Sequence, residues 1–289
     1  MAAPVKVVKV GHVGLKVSDL SRHGEFYTDT WGLGVTEEDH GALYLRAAEP
    51  VHHVVALYEG DRGRNAVDHV GLQVRDRDDL ERAAEELTRR GIEVVMPPGP
   101  SPEPGAARAM RFRDPAGQVV ELYTEPETVG DDYGERVVKP TKLSHVVLNV
   151  PDIDAAAELY TNVLGFRQID WNGHWMCFLN CERDHHSLAL AVGDTKLNHV
   201  AFEVHDWLEI AKGIYNLGEK GVPRIWGPGR HGPGHNVFSY FWDPDKNVIE
   251  YTCEVDQVDD SYVPRVWEPR HGDPDWWCAY PPPEAYTKS

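Results

Sequence analysis

Three side chains able to bind a cation sit on three stretches that read as strands. His145 lies in "LSHVVLNV", His199 in "LNHVAFEV" and Glu250 in "NVIEYTC". Side chains on a strand alternate between its two faces. His145 therefore shares a face with Val147 and Asn149, while Ser144, Val146, Leu148 and Val150 make the other face nearly all apolar. By the same alternation His199 goes with Ala201 and Glu203, and Glu250 with Val248 and Thr252. A carboxylate in the middle of such a strand must be paired or bound to a cation, because burying it alone is costly. Two imidazoles and one carboxylate with open positions form the facial triad of non-haem iron(II) oxygenases, and Mn(II) suits the same donors. Just before Glu250 runs "GRHGPGHNVFSYFWDPDKN", a Gly/Pro-rich loop that carries His231 and His235 and leads into Tyr240.

The elements that must hold these groups follow from an internal repeat. "GHVGLKVSDL" at 11 resembles "SHVVLNVPDI" at 144, "DHVGLQVRD" at 68 resembles "NHVAFEVHD" at 198, and "FRDPAGQVVELYTE" at 112 resembles "FWDPDKNVIEYTCE" at 241. The offsets are 133, 130 and 129 residues, so order is kept and only loops differ. The chain divides into a first module (1–125), a polar linker (126–140), a second module (141–254) and a tail (255–289) that matches neither module. Within each module a strand is followed by a helix and three further strands, twice over. The helices are predicted near 20–30, over "DDLERAAEELTRRG", over "PDIDAAAELYTNVLG" with Asp152 or Asp154 as cap and Gly165 past the end, and after "HVAFEVHD". The predicted class is α+β: two tandem modules, each a pair of βαβββ repeats forming a concave, funnel-like mixed sheet with helices outside. The apolar strand faces pack under the helices. The opposite faces carry His145, His199 and Glu250.

These motifs resemble those of the vicinal oxygen chelate superfamily. Within it, "GRHGPGHNVFSYFWDPDKNVIEY" and "DHHSLALAVGDTKLNHVAFEV" resemble the two-module type I extradiol catechol dioxygenases, over about residues 6–254. The resemblance implies that the second module is catalytic, with His145, His199 and Glu250 as ligands of Fe(II) or Mn(II). It implies that His186 is the acid–base histidine beside the oxygen site, and that His231 and Tyr240 act on the bound catecholate. The reaction implied is extradiol (meta) cleavage of a catechol by O2 to a muconic semialdehyde type product. Val147, Trp226 and His174 are candidate substrate contacts. Relatives that take carboxylated catechols carry an arginine where Trp226 stands, with Arg224 nearby at alternate phase, so an alkyl- or aryl-substituted catechol is expected. The tail, with Trp267, Trp276, Trp277 and Tyr280, is expected to cover the pocket or to staple itself to the module, and Arg265 or Arg270 could still meet a carboxylate. His185 and His235 are expected behind the site, and Arg230 to brace the loop. Two other functions compete: a glyoxalase-like metal-dependent isomerase or epimerase, which would add a fourth protein ligand, and a non-catalytic ligand-sequestering module of the bleomycin-resistance kind, which would lack the triad.

The first module has its own His12, His69 and Glu121 at the triad positions, and His52–His53 repeats His185–His186. Arg111 replaces Tyr240, and "GPSPEPG" replaces the loop histidine. This half is expected to be a structural partner with a vestigial candidate metal site. The formal charge is −18 over 289 residues, which argues against nucleic acid and anionic membranes as partners. No apolar run is long enough to span a bilayer, and "MAAPVKVVKV" lacks a signal-peptide core. Cys177, Cys181, Cys253 and Cys278 read as reduced thiols of a cytoplasmic protein rather than a disulfide framework. Exposed strand edges and the aromatic tail point to a homo-oligomer.

Overall fold

Four aspartates at repeat-related positions start four helices. In the computed structural model, Asp19, Asp76, Asp152 and Asp206 each accept a hydrogen bond from the backbone N–H three residues on. Such a cap satisfies one of the donors that a helix N-terminus leaves unpaired. The structure describes residues 3–39, 41–61, 66–130, 133–268, 274–277 and 283. Arg270, Cys278 and Tyr280 lie outside the described residues.

The first module runs β1 (Val7–Val17), α1 (Leu20–Glu25, continued by a wider π turn to Thr30), β2 (Gly34–Asp39), β3 (Ala42–Arg46) and β4 (Val55–Glu59). Its second repeat is β5 (Val67–Val74), α2 (Arg77–Arg89), β6 (Val94–Pro100), β7 (Ala106–Arg113) and β8 (Val119–Pro126). The second module repeats this as β9 (Lys142–Val150), α3 (Ile153–Asn162), β10 (Arg167–Asn172), β11 (Met176–Asn180), β12 (Leu188–Val192), β13 (Lys196–Glu203), α4 (Trp207–Glu219), β14 (Arg224–Arg230), β15 (Val237–Trp242) and β16 (Val248–Cys253). The four βαβββ repeats are therefore present as expected. Each module is one mixed sheet with matching strand order, eight strands in the first and nine in the second. The ninth strand, β17 (Arg265–Trp267), comes from the tail and pairs parallel with β10 at the sheet edge.

Registry explains why the ligands meet. β9, β13 and β16 are adjacent in the middle of the second sheet. Ala201 lies opposite both His145 on β9 and Glu250 on β16, and His199 lies opposite Val147. On the meander that follows, Trp226, Tyr240 and Glu250 stand in one row across β14, β15 and β16.

One continuous apolar core runs through both modules. Each module's first helix helps join them. Trp31, just past α1, is fully buried and stacks on Tyr251 of the other module at 3.7 Å. Tyr27 donates to Asp243 at 3.2 Å, and in mirror fashion Tyr160 of α3 donates to Asp114 at 3.2 Å. Asp114 and Asp243 are the aspartates of the two "DP" turns.

Candidate metal centre and active site

His145 Nε2, His199 Nε2 and Glu250 Oε2 form a triangle whose three edges are each 3.3 Å. All three side chains are buried. One ion about 2.0–2.2 Å from each atom fits that spacing, the usual length of metal bonds to imidazole and carboxylate. Glu250 Oε2 is buried and accepts no well-aligned hydrogen bond, with the two ligand nitrogens 3.3 Å away as its near polar neighbours. Each ligand is also held from behind. His199 Nδ1 donates to Asn198 Oδ1 at 2.8 Å, His145 Nδ1 meets Ser144 Oγ at 3.1 Å, and Asn236 Nδ2 reaches Glu250 Oε1 at 3.4 Å. Such partners fix ring orientation in metal sites. Burial alone would raise the Glu250 carboxyl, but His145 and His199 beside it hold it below the usual carboxylate range. Burial lowers His199, with Glu250 opposing. An ionised carboxylate and a neutral imidazole are the forms that bind a metal. The donor set fits Fe(II) or Mn(II).

His145 and His199 line a cavity of about 310 Å³. A larger open cleft of about 550 Å³, at Arg22, Asp29 and Lys220, holds no grouping of metal-ligand atoms among the described residues, and the chemistry favours the smaller space. His186, His231 and Tyr240 line the smaller cavity with His145 and His199. Burial, then nearby His145, pushes His186 well below the ordinary histidine value, and burial pushes His231 down to about 4. His231 Nδ1 donates to the carbonyl of Pro274 at 2.6 Å, so its Nε2 accepts from the Tyr240 hydroxyl at 2.9 Å. The remaining wall is mostly apolar: Val147, Trp175, Met176, Phe178, Trp226, Pro233 and Pro274, with Asn172 the exception. No arginine or lysine is among the described residues of that wall.

Val147 and Trp226 thus stand where substrate contact was expected. His174 does not: it is exposed, stacks on Trp171 at 5.2 Å and pairs with Asp154 at 3.3 Å. It sits on the tight turn after β10, and its neighbour Trp175 takes the position at the mouth. The described tail tryptophans do not line the cavity either. Trp267 donates to Asp170 at 2.6 Å, Trp276 packs on His235 at 4.7 Å, and Trp277 lies under Arg230 at 5.5 Å. They fasten the tail, and only Pro274 among its described residues reaches the wall. Arg224 and Arg265 are exposed, and Arg230 braces the loop by donating to the His235 carbonyl at 2.6 Å. His185 is buried behind His186, and His235 pairs with Asp256 at 2.5 Å. Asp170, Asn172 and Asn236 went unnoticed in the sequence. The available signal for the first two was the β10 stretch "RQIDWN", which puts both on one strand face.

In the first module His12 Nε2 lies 3.0 Å from His69 Nε2 and 3.6 Å from Glu121 Oε1. Here Arg111 donates to Glu121 at 2.8 Å and also binds Glu103. The residual space at this place is about 20 Å³.

Tandem βαβββ modules with a two-histidine, one-carboxylate centre define a class in which a concave sheet presents a metal to a small ligand. The chain belongs to the glyoxalase/bleomycin resistance protein/dioxygenase superfamily, whose model matches residues 9–122 and 142–251, one match per module. It is 28% identical over 282 residues to metapyrocatechase from Pseudomonas sp. (strain CF600), covering 90% of this chain and 91% of that protein. It is 26% identical over 262 residues to a manganese-dependent 2,3-dihydroxybiphenyl 1,2-dioxygenase from Geobacillus genomosp. 3, covering 83% and 82%. Among solved structures, the Mn(II)-bound glyoxalase from Novosphingobium aromaticivorans superposes with a TM-score of 0.91 at 33% identity, covering 97% of this chain and 94% of that one.

Proposed function

We propose that this chain is an extradiol ring-cleaving dioxygenase that inserts both atoms of O2 into a catechol carrying an uncharged alkyl or aryl substituent. One observation carries the reading: the two histidines of the triad line a cavity whose wall also holds His186, His231 and Tyr240. A bound Fe(II), or Mn(II) in its place, would supply positive charge that acidifies a vicinal diol and the one-electron chemistry that O2 requires. His145, His199 and Glu250 would hold that ion. The apolar wall of Trp226, Phe178 and Val147 clamps the ring and excludes water, which strengthens every polar contact inside. Tyr240 donates its one hydroxyl proton to His231 before substrate binds, and would turn it to an oxygen of the diolate once the ring is seated. His186 takes or returns a proton at Nε2 as charge moves from the diol to the oxygen. With no cation on the described wall, a carboxylated catechol finds no partner there. In this reading the tail covers the cavity and the first module is structural. The working form is a cytoplasmic homo-oligomer, and no described helix is long and apolar enough to cross a membrane.

A second reading, a glyoxalase-like isomerase, is favoured by the 33% identical Mn(II)-bound neighbour. A fourth carboxylate or imidazole ligand would support it, but the second-module grouping among the described residues is His145, His199 and Glu250 alone. Anaerobic reconstitution with Fe(II), then air and a panel of catechol, 3-methylcatechol and 2,3-dihydroxybiphenyl, tests the choice. The expected outcome is stoichiometric O2 uptake with a yellow product. Absence of uptake on every diol overturns the dioxygenase reading.

A further inference from the structure

Behind His186 lies a chain of buried polar contacts that the reaction as described does not use. Asp170, on β10, is fully buried. Its carboxylate accepts from the Tyr262 hydroxyl at 3.0 Å, the Arg265 backbone N–H at 2.8 Å and the Trp267 indole N–H at 2.6 Å, all in the tail. It also lies 3.1 Å from His185 Nε2. His185 Nδ1 in turn lies 3.1 Å from His186 Nδ1.

The chemistry of these atoms dictates where the protons sit. An ionised carboxylate only accepts, so His185 Nε2 must carry a hydrogen. A neutral His185 then has a bare Nδ1. The Nδ1–Nδ1 contact needs one hydrogen, which must come from His186. His186 Nε2, the ring's other nitrogen, is left with a free lone pair. Burial favours the neutral form of His186. Gly234 makes the contact sterically possible. A Cβ there would come within 3.2 Å of both His185 Nδ1 and His186 Cε1, and its φ of +76° already favours glycine.

We propose that Asp170 and His185 are positioning residues that hold His186 as its Nδ1–H tautomer, with Nε2 ready to receive the diol proton. The inference rests on the dioxygenase reading for its kinetic consequence, though not for its structural one. The proton path balances. When a substrate O–H proton arrives at His186 Nε2, the Nδ1 proton can pass to His185 Nδ1. The resulting cation then lies against the Asp170 carboxylate rather than in an apolar wall. Because three tail groups fasten Asp170, the path is complete only with the tail seated.

Two measurements test this on the full chain. The first is two-bond 1H–15N correlation of 15N-histidine protein loaded with diamagnetic Zn(II) at mildly alkaline pH, with His186 assigned by its absence in His186→Phe. The wild type is expected to show His186 protonated on Nδ1. Asp170→Asn is expected to lose that state, and Asp170→Glu to keep it. The second is steady-state kinetics of the Fe(II) enzyme with 2,3-dihydroxybiphenyl and catechol. Asp170→Asn should lower kcat roughly 10-fold or more with KM changed far less, and Asp170→Glu should recover much of the loss. An Nε2–H tautomer in the wild type overturns the proposal even if no diol is ever cleaved. So does a kcat in Asp170→Asn equal to wild type. A wild type that cleaves no diol but shows the Nδ1–H tautomer removes the dioxygenase reading and leaves the positioning relay standing.

Discussion

The two modules carry the same three ligand types at the same three positions, yet the space beside them differs. In the second, three ligand atoms stand 3.3 Å apart and the two histidines line about 310 Å³ of space. In the first, about 20 Å³ remains. The difference traces to a few residues. Arg111 stands opposite Glu121 in the register that Tyr240 keeps with Glu250. Its guanidinium bonds Glu121 and Glu103, so the buried carboxylates already have their cation. Those carboxylates raise the Arg111 pKa against the lowering effect of its own burial. Tyr58 replaces Ala191, and the His12 ring leans into space that exists only because position 71 is glycine where the second module has Ala201. On the proposed reading, the Arg111 guanidinium takes the place of a metal ion in the first module while all three candidate ligands are kept. Ligand identity in a repeat says where a site was built, and the neighbouring row says whether it is open.

The largest contrast is expected from matched carboxylate changes. Glu250→Gln should abolish both metal retention and turnover, because the only anionic donor of the three is removed. Glu121→Gln should leave one metal per chain and wild-type turnover. Metal analysis after gel filtration reads both. Loss of metal in Glu121→Gln would reverse the roles of the modules. Next in size is Arg111→Tyr, which copies the second module's row into the first. Removing one partner of a buried ion pair costs about 3–5 kcal/mol. The variant should be destabilised to that extent in urea and should recover stability on addition of Mn(II), with a second equivalent bound. Destabilisation without metal uptake would mean that Glu103 and Tyr58, not the guanidinium, close the site.

Much of this comparison was legible before any coordinates. Period-two alternation placed His145, His199 and Glu250 on one concave face, and the repeat placed His12, His69 and Glu121 likewise. Of the four aspartate caps, the sequence reading reached one, as Asp152 or Asp154, and the structure selects Asp152. Other features had no local signal. His174 shares its short segment with two tryptophans, and nothing in "WNGHW" says which side chain a tight turn throws outward. Asp170 acquires its meaning only when a tail strand some 95 residues later pairs beside it. The tail tryptophans read equally as a wall or as a staple, because apolar area is what sequence shows; the N–H and edge contacts with Asp170 and His235 favour the staple. The seating of α1 and α3 against the opposite module is equally invisible to a strand-by-strand reading.

A smaller effect separates the two glycines that let paired histidines meet. Gly105 is the first-module counterpart of Gly234, with φ +90° and a Cβ position 2.8 Å from His52 Cβ. Behind it Glu37, His52 and His53 repeat the carboxylate–histidine–histidine chain at 3.1 Å and 3.1 Å. Forcing alanine into the left-handed region costs about 1–2 kcal/mol. Gly105→Ala and Gly234→Ala should both lose about that much stability by thermal unfolding. Only Gly234→Ala should also lower kcat, since His186 beside it lines the cavity of about 310 Å³ whereas His52 and His53 border only about 20 Å³. An equal loss of kcat in both variants would show a global rather than a local effect.

The smallest effect concerns the paired tyrosines at the module junction. Tyr27 and Tyr160 each donate to the buried aspartate of the opposite module's turn at 3.2 Å. The two aspartates differ in what else they accept. Asp243 Oδ2, the oxygen that Tyr27 reaches, also takes a hydrogen from Asn247 Nδ2 at 2.6 Å. At Asp114 the turn amides of Ala116 and Gln118 bond Oδ1, while Tyr160 bonds Oδ2. Losing a hydrogen bond costs about 0.5–1.5 kcal/mol, and more when a buried group is left without a partner. Tyr27→Phe should therefore sit near the bottom of that range and Tyr160→Phe at its top or above. Urea unfolding of the two single variants measures the gap. Equal costs would mean that Asn247 contributes nothing to Asp243, and a larger cost for Tyr27→Phe would mean that His23, 3.3 Å from Asp245 in the same buried cluster, depends on the phenol for its place.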